Sequence, residues 1–402
     1  MTARPRVGSC ACSRQTHTCA SAGDGLPDVA IAHDFLTQRG GAERVVLAMS
    51  RVFPEATIYT TLFDPDRTYP EFAEKRIVVS PLDRVPLLRH NPRLALPLLP
   101  PASRLIRPRA RVVLTSSSGF AHGFGGCGRR LVYCHAPARW LYQSDLYLGE
   151  SGRWDIARIG LKALRPALRR WDRRSAARAD RYLVNSRVVR ERVRAAYGIE
   201  ADVLAPPVTM DASDTQTAVA DLADWADGYH LVVSRLLPYK NVEAAVAAFA
   251  GMPQRRLVVV GVGPEATALV RTLPPNVRIV RDLDDAELRW TYAHCLVLLA
   301  PSYEDFGLTP LEAGVFGKPT LALESGGYLD TVVEGRTGLF FPRPTPEAIA
   351  AAVAKADETA WSPEDIRAHA AEFGPERFAA GLRAEVQRLL AVDKPADAEV
   401  GQ

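Results

Sequence analysis

YHLVVS at 229–234 is followed by RLVVVG at 256–261, VRIVR at 277–281, LVLLA at 296–300 and PTLAL at 319–323. Each is a short apolar run rich in Val and Leu, too short for a helix and ending in turn residues, and so reads as a buried strand. Stretches with helical spacing fill the gaps, at 241–250, 264–273, 285–294 and 310–317. Continuous apolar strands alternating with helices predict a parallel sheet covered on both faces.

The same alternation occurs earlier in the chain. VAIAH at 29–33, RVVLT at 111–115, RLVYC at 130–134 and RYLVN at 181–185 read as strands, with helices at 41–53 and 187–197. The pattern breaks over 206–228, where Pro206-Pro207 leads into a polar stretch. A chain of 402 residues exceeds one ordinary core, so two doubly wound α/β domains are expected, at 27–207 and 208–374. A last helix at 375–391 is expected to cross back to the first domain. Residues 1–26 read as a leader and 392–402 as a tail.

The composition, 47% hydrophobic and 24% charged, is that of a globular protein, and the sequence has no apolar run of membrane-spanning length. Cys10, Cys12, His17 and Cys19 have a spacing that would admit zinc, but without surrounding apolar pattern they read as leader. Cys127, Cys134 and Cys295 show no paired framework, which fits a reducing compartment. The net charge of +4 is unevenly spread. Residues 84–111 hold seven arginines and no acid, and residues 153–194 hold fourteen basic residues and four acids. Such a surface would attract nucleic acid, an anionic membrane or a phosphorylated substrate.

Ligands of open α/β sheets sit at the carboxyl ends of strands, and the candidate residues fall there. Gly40 and Gly41 lead into a helix, where backbone amides approach an anion. His135 closes a strand and is expected to point into the cleft. Arg235 and Lys240 flank a helix start, a fit for a diphosphate. Gly261-x-Gly263 fits the dinucleotide fingerprint, with Asp282 placed 19 residues on, but it follows the domain's second strand. Glu304 and Glu312 stand eight apart. Thr309 is expected to cap the helix with Glu312 completing a capping box, whereas Glu304 has no structural role in this reading. The amides of Phe306, Gly307 and Leu308 would face an anion beside it. Ser325-Gly326-Gly327 is expected to turn on the side opposite the cleft.

Together these residues resemble the retaining family-4 glycosyltransferases of the GT-B fold. GGAER at 40–44, CHAP at 134–137, NS at 185–186, PPV at 206–208, SRLLPYKN at 234–241, GVGPE at 261–265 and the E-x7-E pair carry the likeness. It is strongest to bacterial mannosyltransferases of O-antigen and capsule assembly. The resemblance implies that Glu304 holds hydroxyls of the donor sugar and Glu312 the nucleotide ribose. Arg235 and Lys240 would neutralise the diphosphate, Gly40 and Gly41 would close over it, and His135 would touch the sugar near its reacting carbon. It further implies a nucleotide-sugar substrate, GDP-mannose first, with no cofactor and no metal. The acceptor would be a glycan or lipid-linked sugar, met in the cytoplasm on an anionic membrane face, with no nucleic acid partner. The D-x-D pairs Asp64/Asp66 and Asp282/Asp284 then read as loop residues. Asp330 departs from the family's usual glutamate. A sugar-nucleotide epimerase, an NAD-dependent oxidoreductase and a non-catalytic scaffold are the rival readings.

Overall fold

The computed structural model describes residues 26–90, 98–143, 156–271 and 273–391. The leader with Cys10, Cys12, His17 and Cys19, the tail at 392–402 and part of the arginine-rich stretch lie outside them.

Two all-parallel sheets organise the chain. The first has strands β1 (Val29–His33), β2 (Ile58–Thr60), β3 (Ile77–Val79), β4 (Arg109–Ser117), β5 (Cys127–Cys134), β6 (Arg181–Val184) and β7 (Asp202–Val203), in the order β3-β2-β1-β4-β5-β6-β7. The second has β8 (Tyr229–Val233), β9 (Leu257–Val260), β10 (Val277–Val280), β11 (Cys295–Ala300), β12 (Thr320–Leu323) and β13 (Gly338–Phe341), in the order β10-β9-β8-β11-β12-β13. Each sheet grows outward in both directions from its first strand, so strand order reverses beside β1 and beside β8. Those reversals open the crevices where such folds bind ligands.

Apolar runs make the central strands because both faces are covered. Ile31, Ile58, Val112, Leu114 and Leu131 are completely buried in one core, and Leu231, Leu257, Val258 and Val259 in the other domain's. Of the strands that periodicity did not reveal, β2, β3 and β7 have two or three residues each, too few for a pattern, and β13 is the four-residue edge strand Gly338–Phe341. β4 runs from Arg109 to Ser117, longer at both ends than its apolar centre.

The helix Pro375–Ala391 packs on the first domain, although it follows the second in sequence. Its Phe378, Leu382 and Val386 join the core around Ile31, Met49 and Leu114. Glu385 accepts from Arg181 Nε at 2.9 Å. Among the described residues, no helix is long and apolar enough to cross a membrane.

Candidate functional site

The loops leaving the strands of the two sheets meet. Leu308 of the second domain lies against Gly41 of the first, its Cδ1 3.7 Å from where a Cβ on Gly41 would sit. Ser186 Oγ donates to the Asp305 carbonyl, and Arg139 and Arg192 both grip the Asp305 carboxylate, the former through Nε at 2.9 Å. Arg187 holds Asp330, whose Oδ2 accepts from the Arg187 amide at 2.7 Å. The cleft thus lies between the carboxyl ends of the two sheets.

Glu304 stands on the loop after β11. Its Oε1 accepts from Ser302 Oγ at 2.7 Å and from Lys240 Nζ in an ion pair. Sequence reasoning gave Glu304 no structural partner. It has two, because Lys240 is carried into the same pocket from the loop after β8. The loop is shaped from beneath by Gly326 and Gly327. A Cβ on either would strike the backbone of Glu304 or Phe306, and the Gly327 amide donates to the Glu304 carbonyl at 2.8 Å. This corrects the expectation for Ser325-Gly326-Gly327: the turn underlies the cleft instead of lying opposite. Gly307 adopts φ +88 with the Tyr328 ring against its α-carbon, a backbone state that favours glycine. The amides of Phe306, Gly307 and Leu308 donate to no described residue, which leaves them available to an anion.

Glu312 does not form the expected capping box. The helix Thr309–Val315 takes Leu308 as its N-cap, with no side-chain bond, so Thr309 already lies inside the first turn. Glu312 is free to turn away, and its Oε2 accepts from Tyr292 hydroxyl at 2.7 Å. Its Oε1 lies 4.0 Å from Arg44 of the opposite domain.

Lys240 ends a short helical turn, Pro238–Lys240, and is only 7% exposed. Asn241 follows at φ +53 and ties the turn to the Pro301 carbonyl at 2.9 Å. Arg235 is exposed, its guanidinium 3.5 Å from the Tyr239 hydroxyl. The two expected cations therefore differ: one is buried on Glu304, the other faces solvent. Gly261 and Gly263 pack on this loop, and a Cβ on them would collide with the carbonyls of Ser234 and Leu236. Close backbone packing accounts for both glycines, so no dinucleotide site is needed to explain them. Of the D-x-D residues, Asp284 caps the helix Asp285–His294 in a capping box, and Asp64 lies 3.6 Å from His90.

In the first domain, Gly40 is the N-cap of the helix Gly41–Val52, and a Cβ there would meet the Glu43 carboxylate. Asp34 is buried and accepts from the amides of Ser118, Phe120 and Ala121, which ties the β1 loop to the β4 loop. His135 follows β5, with its Nε2 2.8 Å from Ser116 Oγ. Burial, then the charge of nearby His33, lowers the His135 pKa to about 3, so the ring is neutral. Sequence reasoning did not single out Arg44, Arg139, Arg192 or Asp305. Their signal was present only as charges inside or beside the quoted motifs, and pairing across a cleft leaves no spacing to read.

Residues 39–211 match the model of Glycosyltransferase Family 4, and residues 224–373 match that of Glycosyl transferases group 1. An alpha-1,3/1,6-mannosyltransferase of Dictyostelium discoideum is 44% identical over 14% of this chain and 14% of its own length. A GDP-mannose-dependent alpha-mannosyltransferase of Corynebacterium glutamicum is 36% identical over 27% of this chain and 26% of its own. A D-inositol 3-phosphate glycosyltransferase of Mycobacteroides abscessus is 30% identical over 41% of each chain. The chain thus spans less than half the length of these curated relatives. Similar folds extend further. HepE of Anabaena, solved with UDP, superposes with a TM-score of 0.65 at 17% identity over 89% of this chain and all (100%) of its own. Sucrose-phosphate synthase of Thermosynechococcus elongatus gives 0.66 at 20% identity, over 90% of this chain and 100% of its own. With one model over each half and two facing Rossmann-like domains, the chain belongs among the GT-B glycosyltransferase families.

Proposed function

We propose that this protein is a retaining, metal-independent glycosyltransferase that moves a hexose, mannose from GDP-mannose first, to a glycan or lipid-linked acceptor. One observation carries the reading: Glu304 pairs with Lys240 beside the amides of 306–308, which donate to no described residue, and Leu308 of that loop lies against Gly41 of the other domain. Breaking a sugar–phosphate bond builds negative charge on the leaving diphosphate. Lys240, Arg235 and the start of the helix Thr309–Val315 would supply fixed positive charge there. When the diphosphate takes Lys240, Glu304 is released to accept hydrogen bonds from sugar hydroxyls. Glu312, steadied by Tyr292, would hold the ribose. His135, neutral at the carboxyl end of β5, would meet the sugar. The leaving phosphate would help deprotonate the acceptor on the same face, so no side-chain nucleophile is assigned.

The mannosyltransferases among the relatives favour mannose, and the name of the Corynebacterium glutamicum protein favours GDP. The uneven basic charge favours work at an anionic membrane face in the cytoplasm, for cell-envelope polysaccharide or glycolipid. A thermal-shift panel of GDP, UDP, ADP and their sugars tests the donor. At about 100 times Kd a ligand adds about 2.7 kcal/mol, or roughly 5–10 °C for domains of this size. GDP and GDP-mannose are expected to raise the melting temperature most. A larger shift with UDP or ADP would change the donor, and no shift with any member would remove the reading.

A further inference from the structure

His135 ends a buried polar chain whose hydrogen-bond directions can be assigned. His33 Nδ1 lies 3.1 Å from the Ser116 carbonyl and 3.0 Å from Ser116 Oγ. A carbonyl only accepts, so His33 Nδ1 carries a proton. That proton also faces Ser116 Oγ, so the hydroxyl hydrogen of Ser116 must point elsewhere. The other partner is His135 Nε2, at 2.8 Å. Ser116 therefore donates to His135 Nε2, which holds a lone pair, and a neutral His135 keeps its proton on Nδ1.

The far end of the chain fixes this polarity. His33 Nε2 lies 4.0 Å from Glu43 Oε1, and both side chains are 2% exposed. Burial opposes charge on His33, but the Glu43 carboxylate, with lesser help from Asp34 and the Ser116 carbonyl, more than offsets it and raises the His33 pKa. A protonated His33 would carry Nδ1–H, and burial first, then the His33 charge, lowers the His135 pKa. Gln38 Nε2 holds Glu43 Oε1 at 3.0 Å. The other oxygen of Glu43 is buried with no partner among the described residues and lies against the α-carbon of Gly40. The chain thus starts beneath the glycine loop and ends at His135, whose Nδ1 has no described partner and whose ring is only partly buried.

We propose that Glu43, His33 and Ser116 are positioning residues that lock His135 as a neutral imidazole with its proton on Nδ1, and that this N–H is the donor His135 presents to the transferred sugar. The last clause rests on the glycosyltransferase reading; the tautomer does not. Two-bond proton–nitrogen correlation spectra of 15N-histidine-labelled full-length protein read it directly, with His135→Gln assigning the signal. The expected pattern is protonated Nδ1 and bare Nε2 across roughly pH 5–9, the range in which an unperturbed histidine would titrate. Ser116→Ala should mix or reverse the tautomers, and Ser116→Thr should restore them. In transfer assays Ser116→Ala should lower kcat with donor KM little changed, again restored by threonine. A proton on Nε2 in the unaltered protein would overturn the proposal whatever the activity. So would a folded Ser116→Ala protein with an unchanged tautomer. Nδ1–H in a protein that transfers no sugar would defeat the functional reading and the role toward sugar, while the lock itself stands.

Discussion

At Glu304 the carboxylate proposed to hold the donor sugar is already occupied by Lys240 and Ser302. In the proposed function the pair would be a holding state, each charge keeping the other until substrate replaces it. A buried lysine without its partner is costly, which shapes the expected behaviour of Glu304→Gln. Glutamine still accepts from Lys240 and Ser302 but offers a sugar only a neutral acceptor. Charge-assisted hydrogen bonds contribute roughly 1.5–3 kcal/mol each, so transfer should fall at least about tenfold for each one lost. The melting temperature should move by no more than about 4 °C, equivalent to ~1 kcal/mol. Transfer at the unaltered rate in a folded Glu304→Gln protein would remove Glu304 from the site. The sequence made Glu304 and Glu312 visible because eight-residue spacing across a loop and a helix start is a local pattern. It left their partners hidden. Tyr292, Arg44 and Lys240 reach them from other elements, and Thr309 lost its expected capping role to a helix start one residue earlier.

At the scale of elements, the strands were legible where they are central. VAIAH is β1 residue for residue, since both faces are buried. The turn glycines were visible as glycines, but their purpose was not, because the backbone that each one meets is distant in sequence. The leucines and isoleucine of the arginine-rich stretch are divided between core and surface. Leu99 and Ile106 enter the core, while Leu87 is 61% and Leu105 67% exposed. Arg104 and Arg107 are exposed beside them, and Arg170, Arg173 and Arg174 are exposed on the helix Ile156–Ala176. Arg178, just beyond that helix, lies within reach of Arg104: burial, then the charge of Arg104, lowers its pKa. Guanidiniums crowded in this way, around projecting leucines, suit anionic headgroups at about 1 kcal/mol per cation. Vesicle flotation should show binding that needs anionic lipid, fades with salt and weakens in Arg104→Glu and Arg178→Glu. Failure to float with anionic vesicles at low salt would leave a soluble acceptor as the better account.

For the whole molecule, alternation of strands and helices was enough to specify two parallel sheets, but not how they face each other. That depends on single contacts: Asp305 under Arg139 and Arg192, and Asp330 under Arg187. It depends also on the helix Pro375–Ala391, which follows the second sheet in sequence and completes the core of the first. These contacts bring the loop after β1 over the loop after β11, and the cleft they close is the basis of the functional account. If the cleft holds a diphosphate on Lys240, the lysine must matter for phosphate and not for the nucleoside. Calorimetry on the intact protein and on Lys240→Ala, with GDP and with guanosine, measures that difference. The account predicts that GDP binding weakens roughly ten- to 150-fold, the equivalent of about 1.5–3 kcal/mol, while guanosine binding is unchanged. Equal loss for both ligands, or GDP binding untouched by the substitution, would contradict it.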